Sequence, residues 1–363
     1  MAKSCYVHIP FCGSICYYCG FCKSVSSNAV KEKWIDQIHK EIQNKPISSL
    51  DTLYFGGGTP NILSKEMFRA LSLPLMEFLD SDYEWTVECN PEFITENQLQ
   101  EFQQLGVNRL SIGVQTFQDS LLQKIGRHHS SKQAMDSINL SREFGFHNLS
   151  VDLMYGLPGQ SLDDVIRDLE TFFSLGIDHL SIYSLQIEEN SIFGKKGIRS
   201  CDDELEADMF EQIVKMCKKH GFEHYEISSF ARNQQYSKHN LSYWTDQDYY
   251  GIGCGAAGRE NGILYENTKD LVSYCDRGPM PSFISETIQE RAFDSIMMAL
   301  RTQFGLDVTA WQKRYGLDFF MQYKNVLKKY LGTYLCFEKN HLFPTEQGME
   351  ILNTILVDFL SEN

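Results

Sequence analysis

Four of the chain's eleven cysteines lie between positions 12 and 22, at a spacing that suits the binding of iron. Cys12, Cys16 and Cys19 are separated by three and then two residues, and Cys22 follows. Thiolates are soft ligands, and three of them on a tight loop can hold a four-iron, four-sulfur cluster with one iron left open. A structural zinc site and a ferredoxin-type cluster closed by Cys22 are the alternatives. We expect the open-iron cluster, held by Cys12, Cys16 and Cys19.

Three consecutive glycines, Gly56, Gly57 and Gly58, end a predicted strand and come before Thr59 and Pro60. Glycine adopts positive φ and lets the backbone approach a ligand closely. The segment therefore suits the polar end of a cofactor, and a plain tight turn is the alternative.

Four polar residues, Glu88, Gln115, Arg127 and Asp152, lie at or near the ends of predicted strands. A buried charge without a partner costs several kcal/mol, so such side chains face a ligand or pair with one another. The residues alone do not decide between contact with a ligand and pairing with one another.

The segment HNLSYW contains His239, with Tyr243 and Trp244 as aromatic neighbours. A single histidine is more often a hydrogen-bonded structural residue than a metal ligand, and the two aromatic residues are core residues by default. On its own, the segment does not establish a site.

These residues need a scaffold, and the pattern predicts one of alternating strands and helices. In the first predicted helix Trp34, Ile35, Ile38 and Ile42 share one face, and the second begins at Ser64. The predicted strands are 4–10, 51–58, 84–91, 108–115, 148–158 and 179–187. The repeat favours an α/β fold, a partial TIM-like barrel, with a doubly wound open sheet as the alternative. The residues named above then lie at the carboxyl rim, where barrels carry their chemistry.

After about residue 190 the pattern changes, which divides the chain into three predicted parts. Residues 1–230 form the barrel, and 231–285 form a linking region with HNLSYW and the glycine-rich turn GIGCGAAG. Residues 286–363 form a smaller, mostly helical C-terminal domain, with a hairpin near 334–343.

Composition restricts the partners of this 363-residue chain. A formal net charge of −15 argues against a nucleic-acid binder, which usually carries a basic surface. No apolar run is long enough for an integral membrane segment, and the N-terminus lacks the apolar core of a signal peptide before Cys5. We expect a cytoplasmic protein whose scattered cysteines are mostly small buried side chains.

Several segments, in this order along the chain, resemble landmarks of one family. They are YVHIPFCGSICYYCGFC (6–22), GGGTP (56–60), ECNP (88–91), SIGVQTF (111–117), IGRHHS (125–130), VDLMYGLPGQ (151–160), YEISSFA (225–231) and HNLSYW (239–244). The chain resembles the radical SAM superfamily, in the branch of oxygen-independent coproporphyrinogen III oxidases and HemW-type heme chaperones. It is most similar to the HemW type.

The resemblance implies a [4Fe-4S] cluster and S-adenosylmethionine as cofactors. It assigns contacts with a first S-adenosylmethionine to residues near the cluster loop, namely Tyr6, Tyr18, Gly57, Gly58, Thr59 and Glu88. It assigns Gln115, Arg127 and Asp152 to a second S-adenosylmethionine site of the oxidases, and leaves open whether this chain fills that site. No residue is assigned a catalytic role, although cleavage of S-adenosylmethionine is expected.

As a heme chaperone, the protein would bind heme and deliver it to an acceptor protein. Phe21, two residues after the third cysteine, and HNLSYW favour this function. His239 would be an axial heme ligand, with Cys254 and either His128 or His129 as weaker candidates.

As an oxidase, the protein would decarboxylate two propionates of coproporphyrinogen III to vinyl groups, giving protoporphyrinogen IX. Gly20 and the intact set of Gln115, Arg127 and Asp152 favour this alternative. Either function needs a reductant such as a flavodoxin or a ferredoxin. A radical methylase or a heme-degrading relative on the same scaffold is a third possibility, because fold and cofactor do not fix the substrate.

Overall fold

The strands predicted from the first half of the chain all form in the computed structural model, which describes residues 2–362. Their bounds are β1 Ser4–Ile9, β2 Leu50–Gly57, β3 Leu79–Cys89, β4 Arg109–Gln115, β5 Asn148–Tyr155 and β6 His179–Ser184. Each pairs in parallel with the next, and β1 and β2 are in register from Ser4 opposite Thr52 to Ile9 opposite Gly57. The carboxyl ends of these strands therefore lie along one rim.

Helices connect these strands and cover the outside of the sheet. They are α1 Asn28–Gln43, α2 Lys65–Met76, α3 Glu96–Leu105, α4 Asp119–Lys124, α5 Ser131–Glu143 and α6 Leu162–Ser174. As predicted, α1 buries Trp34 and Ile38, and α2 begins after Ser64, whose Oγ accepts a hydrogen bond from the Met67 amide. Such a cap satisfies a backbone donor that the first helical turn leaves free.

The chain continues past β6 with further helices and with short strands that extend the same sheet. They are α7 Ile192–Lys195, α8 Asp203–Lys219, β7 Glu223–Glu226, β8 Ser229–Ala231, α9 Lys238–Trp244, β9 Tyr249–Ile252, β10 Ala257–Glu260, β11 Ile263–Glu266, α10 Leu271–Arg277 and β12 Ser282–Ile284. Residues 224–230 have the composition of one continuous strand, but they form the antiparallel pair β7 and β8. The Glu226 carboxylate accepts a hydrogen bond from the Ser228 amide at 3.1 Å, and this contact stabilises the reversal between them.

Within residues 2–362 these strands make one twelve-stranded sheet, in the order β12, β11, β10, β9, β1, β2, β3, β4, β5, β6, β8, β7. Strand β9 pairs in parallel with β1, so a late segment of the chain lies beside the first strand. The run of parallel strands with outer helices confirms the α/β fold of the partial-barrel type.

The C-terminal region has its own hydrophobic core, which includes Trp311, Phe319 and Phe359. Its elements are α11 Ile288–Ala299, β13 Leu306–Asp307, α12 Val308–Tyr315, α13 Phe319–Gln322, α14 Lys324–Tyr330, β14 Leu335–Glu338, β15 His341–Pro344, α15 Glu346–Glu350 and α16 Leu352–Ser361. Strands β14 and β15 form the hairpin expected near 334–343. The exact borders of the three predicted parts of the chain stay a prediction.

In the part of the chain that the structure describes, no helix combines the length and the apolar character needed to cross a bilayer.

Candidate functional site

The loop of residues 12–24 leaves the carboxyl end of β1 and presents the three motif cysteines. Its base is closed where the Cys12 amide donates to the Ser24 carbonyl at 3.0 Å. Its middle is attached to the segment after α4, because the Tyr17 amide donates to the Ile125 carbonyl at 3.0 Å. The loop is thus fixed at two points, which leaves little freedom to the thiols between them.

The motif cysteines have the room and the chemistry that a cluster needs. A Cβ at Gly58 would stand 2.7 Å from the Phe11 carbonyl oxygen and 3.0 Å from Cys12 Sγ, so only glycine leaves that space open. Burial raises the pKa of Cys12 to about 11 and also raises that of Cys19, so these thiols keep their protons until a cation replaces them.

The type and number of the donors fit a four-iron cube, which takes each of three cysteines at a different iron. Among residues 2–362, no three histidine, cysteine or acidic side chains converge on a site for a single metal ion.

Glu88, at the end of β3, is held by two donors beside this loop. Tyr54 Oη donates to Oε1 at 2.8 Å, and the Gly57 amide donates to Oε2 at 3.0 Å. Burial is the largest of the effects that raise the pKa of Glu88 to about 7. Gly57 has φ of +110°, and a Cβ there would stand 2.6 Å from the His8 ring. The glycine segment and the carboxylate thus form one wall of the site.

The other residues predicted to contact S-adenosylmethionine lie around the same rim. Tyr6 Oη is hydrogen-bonded to His8 Nδ1 at 2.9 Å. Thr59 is buried, and its Oγ1 accepts a hydrogen bond from Asn90 Nδ2 at 3.3 Å. Tyr18 packs against the small apolar cluster around Ile125, and burial raises its pKa.

Arg127 links the cysteine loop to the barrel. Its Nη1 donates to Cys16 Sγ at 3.6 Å, while Nη2 donates to Asn90 Oδ1 at 2.9 Å and to the Gly113 carbonyl at 2.5 Å. The side chain is buried, so its positive charge is only weakly screened by water. Arg127 can therefore stabilise negative charge on the Cys16 sulfur.

Gln115 and Asp152 flank Gly113, where β4 has an irregular register. Gln115 has φ of +70°, and its Nε2 would be 2.9 Å from a Cβ at Gly113. Asp152 is opposite Gly113 on β5 and accepts hydrogen bonds from Ser111 Oγ at 2.9 and 3.0 Å and from Ser150 Oγ at 3.1 Å. Burial raises the pKa of Asp152. The three residues predicted to bind a second S-adenosylmethionine thus lie close together. The Asp152 carboxylate already accepts hydrogen bonds from two serines.

His239, on α9, is buried and both of its ring nitrogens have partners. Nδ1 is hydrogen-bonded to Thr52 Oγ1 at 2.7 Å, and Nε2 to Tyr243 Oη at 2.8 Å. The ring stacks on Tyr54 with 5.0 Å between centroids, and burial lowers the pKa of His239 to about 3. His239 is neutral and structural in this conformation. One ring nitrogen must lose its hydrogen bond, to Thr52 or to Tyr243, before it can bind iron.

The weaker heme-ligand candidates occupy separate environments. Cys254 is buried in the turn after β9. His129 is buried, with Nε2 3.1 Å from the Val114 carbonyl oxygen and Nδ1 3.3 Å from Glu92 Oε2, whereas His128 is exposed. Only His128 presents its side chain to solvent.

Three residues of the site were missed from the sequence: His8, Tyr54 and Asn90. His8 connects Tyr6 to the cysteine loop through a 2.8 Å hydrogen bond between Nε2 and the Cys22 carbonyl. The two-residue period of a strand could have found His8, since it shares a face of β1 with Tyr6. No comparable local signal identifies Asn90, which joins Arg127 to Thr59 across three loops.

Comparisons with known proteins agree with this geometry. The family model "Radical SAM superfamily" matches residues 6–172, and "HemN C-terminal domain" matches 287–351. The heme chaperone HemW of Lactococcus lactis subsp. lactis is 34% identical, with 99% of this chain and 98% of the relative covered. The heme chaperone HemW of Bacillus subtilis is 35% identical over 99% of this chain and 100% of the relative.

A solved structure, that of coproporphyrinogen III oxidase (HemN) from Escherichia coli, superimposes with a TM-score of 0.85. The match covers 99% of this chain and 90% of that one at 23% identity, which shows a shared fold. The resemblance read from the motifs is confirmed. The chain belongs to the radical SAM superfamily and, within it, to the HemW family.

Proposed function

We propose that this protein is a heme chaperone that keeps the cofactor site of a radical SAM protein. The observation that carries the proposal is the similarity to heme chaperones over nearly the whole chain, C-terminal domain included. A chaperone of this kind binds heme and passes it to an acceptor protein. We propose that it works in the cytoplasm, and its formal net charge of −15 is compatible with a partner other than nucleic acid.

We assign Cys12, Cys16 and Cys19 as cluster ligands, and Tyr6, Tyr18, Gly57, Gly58, Thr59 and Glu88 as the S-adenosylmethionine contacts. When bound, the cluster supplies the electron that cleaves S-adenosylmethionine reductively, after reduction by a flavodoxin or a ferredoxin. The protein itself fixes the cysteine loop and places the Glu88 carboxylate beside a cationic ligand. Gly57 and Gly58 carry no side chain, so the space beside them stays free for the cofactor.

Heme binding is tested by titrating the reconstituted full-length protein with hemin and following the Soret band. We expect saturable binding near one heme per chain. If wild type and His239→Ala both show no Soret shift, the chaperone proposal and the ligand assignment of His239 both fail. If both bind with equal affinity and identical spectra, His239 is not the ligand, and Cys254, His128 and His129 are tested next.

The oxidase is the second candidate, and one grouping favours it: Gln115, Arg127 and Asp152 all lie about Gly113. An anaerobic incubation with coproporphyrinogen III, dithionite and S-adenosylmethionine separates the two functions. A vinyl product would establish the oxidase. We expect cleavage of S-adenosylmethionine without that product.

A further inference from the structure

The end of the cysteine loop and the glycine-rich turn after β9 bring two thiols together. Cys22 Sγ and Cys254 Sγ are 3.6 Å apart, although the residues are far apart in the sequence. Every cysteine in the described residues is a free thiol, so this pair is a dithiol here. A disulfide bond is about 2 Å long, so a small side-chain movement would join the two sulfurs.

The backbone around the pair is shaped to hold it. A Cβ at Gly255 would stand 2.7 Å from Cys22 Cβ and 3.3 Å from its Sγ, so any other residue there would push the loop away. The Gly253 amide donates to the buried Glu41 carboxylate at 3.1 Å, and this contact fixes the turn. His8 fixes the other side through the Cys22 carbonyl at 2.8 Å.

The two thiols differ in access. Cys22 is half-buried and lines a cavity of about 510 Å³, whose wall also includes Lys23 and Lys269. Cys254 is fully buried, and its Sγ lies 3.2 Å from the Thr268 carbonyl oxygen. The hydrogen bond from Cys254 lowers the pKa of Cys22, although burial opposes this. An accessible thiol beside a buried thiol is the arrangement of an attacking and a resolving cysteine.

We propose that Cys22 and Cys254 form a reversible disulfide by exchange with a small-molecule disulfide of the glutathione class that enters this cavity. The Cys22 thiolate attacks one sulfur of the small disulfide, whose S–S bond breaks and releases one thiol. Cys254 then loses its proton, attacks the mixed disulfide at Cys22, and releases the second thiol. The two cysteines lose two electrons and two protons, and the small disulfide gains them.

This reaction ties the cysteine loop covalently to the turn after β9. It uses neither Cys12, Cys16 nor Cys19, so the cluster ligands remain intact. It also gives Cys22 a role that differs from that of a fourth cluster ligand.

The test uses full-length protein with its cluster, incubated without oxygen in oxidised glutathione, alkylated, digested and mapped by mass spectrometry. We expect a Cys22–Cys254 linked peptide that reduced glutathione reverses. Cys254→Ser removes the resolving thiol, so it should accumulate a stable glutathione adduct on Cys22. Cys217→Ser, which removes another buried thiol on α8, should leave the linked peptide unchanged.

Two results would overturn the proposal. One is the absence of the linked peptide in wild type together with no adduct on Cys22 in Cys254→Ser. The other is a Cys22→Ser protein that binds markedly less iron than wild type, since Cys22 would then be a cluster ligand. The wild-type mapping gives an answer even if a variant fails to fold.

Discussion

The ring of His239 stacks on the ring of Tyr54, with 28° between their planes, and Tyr54 Oη donates to the Glu88 carboxylate. The HNLSYW segment therefore supports the Glu88 carboxylate through Tyr54. A histidine that was expected to hold heme is joined by one intermediate ring to a residue expected to hold S-adenosylmethionine. Movement of His239 toward a heme would remove its ring from Tyr54. Tyr54 therefore connects the proposed heme ligand with the proposed S-adenosylmethionine contact Glu88.

The first prediction concerns the cluster. Alanine at Cys12, Cys16 or Cys19 removes a thiolate from an iron, so each variant should lose the brown visible absorbance and nearly all its iron after anaerobic reconstitution. Cys22→Ala is the matched control from the same loop and should keep both. Loss of iron from Cys22→Ala would mean that the cluster has a fourth cysteine and no open iron.

The second prediction concerns the pH dependence of S-adenosylmethionine binding. Because the pKa of Glu88 is raised to about 7, the carboxylate is mostly protonated at pH 6 and mostly ionised at pH 8. S-adenosylmethionine carries a sulfonium charge, so its affinity for the reconstituted protein should rise about tenfold over that range. Equilibrium dialysis measures the change, and Glu88→Gln should bind weakly with no such slope. A wild-type affinity that stays flat would remove Glu88 from the site.

The third prediction concerns the reduction potential of the cluster. Arg127 donates to Cys16 Sγ, and a hydrogen bond to a ligand sulfur stabilises the reduced, more negative cluster. Arg127→Lys loses the planar fork that reaches three acceptors, so the potential should become more negative. An anaerobic dye titration measures it. Arg142→Lys, which alters an arginine bonded to the Leu175 carbonyl, should leave it unchanged.

The fourth prediction concerns the stability of the apoprotein at acid pH. Burial lowers the pKa of His239 to about 3, whereas an unfolded chain has a value near 6.5, so this histidine's contribution is full above pH 6.5 and is lost as the pH falls toward 3. Between pH 7.5 and 5 the loss is about 2 kcal/mol. The difference in unfolding free energy between wild type and His239→Phe should shrink by that amount, measured by urea denaturation. A difference that is constant with pH would show that the pKa of His239 is the same in the folded and the unfolded protein.

Local pattern was enough to predict the parallel strands and the helices between them. The apolar face with Trp34 and Ile38 depends only on residues within one helix, and so does the cap at Ser64. Such short-range features can be recognised from the sequence alone. The same holds for the cysteine loop, whose spacing is itself the motif.

Partners brought together from distant parts of the chain were not predictable in this way. Nothing local indicates that Thr52 is hydrogen-bonded to His239, that Gly255 makes room for Cys22, or that residues 249–252 pair with the first strand. These contacts depend on register and packing across the sheet. The reversal at Ser228 also has no local signal, because HYEISSF has the composition of one continuous strand.

The pairing of β9 with β1 has a consequence for how the protein is made. A ribosome releases β1 and the cysteine loop early, but the strand that covers the other side of β1 is synthesised more than two hundred residues later. Until then, one edge of β1 has no partner strand, and the turn that contacts Cys22 in the folded protein has not been made. The cysteine loop therefore reaches its final surroundings only after residue 252 has been synthesised, and nascent chains arrested before residue 249 should leave this edge of β1 unpaired.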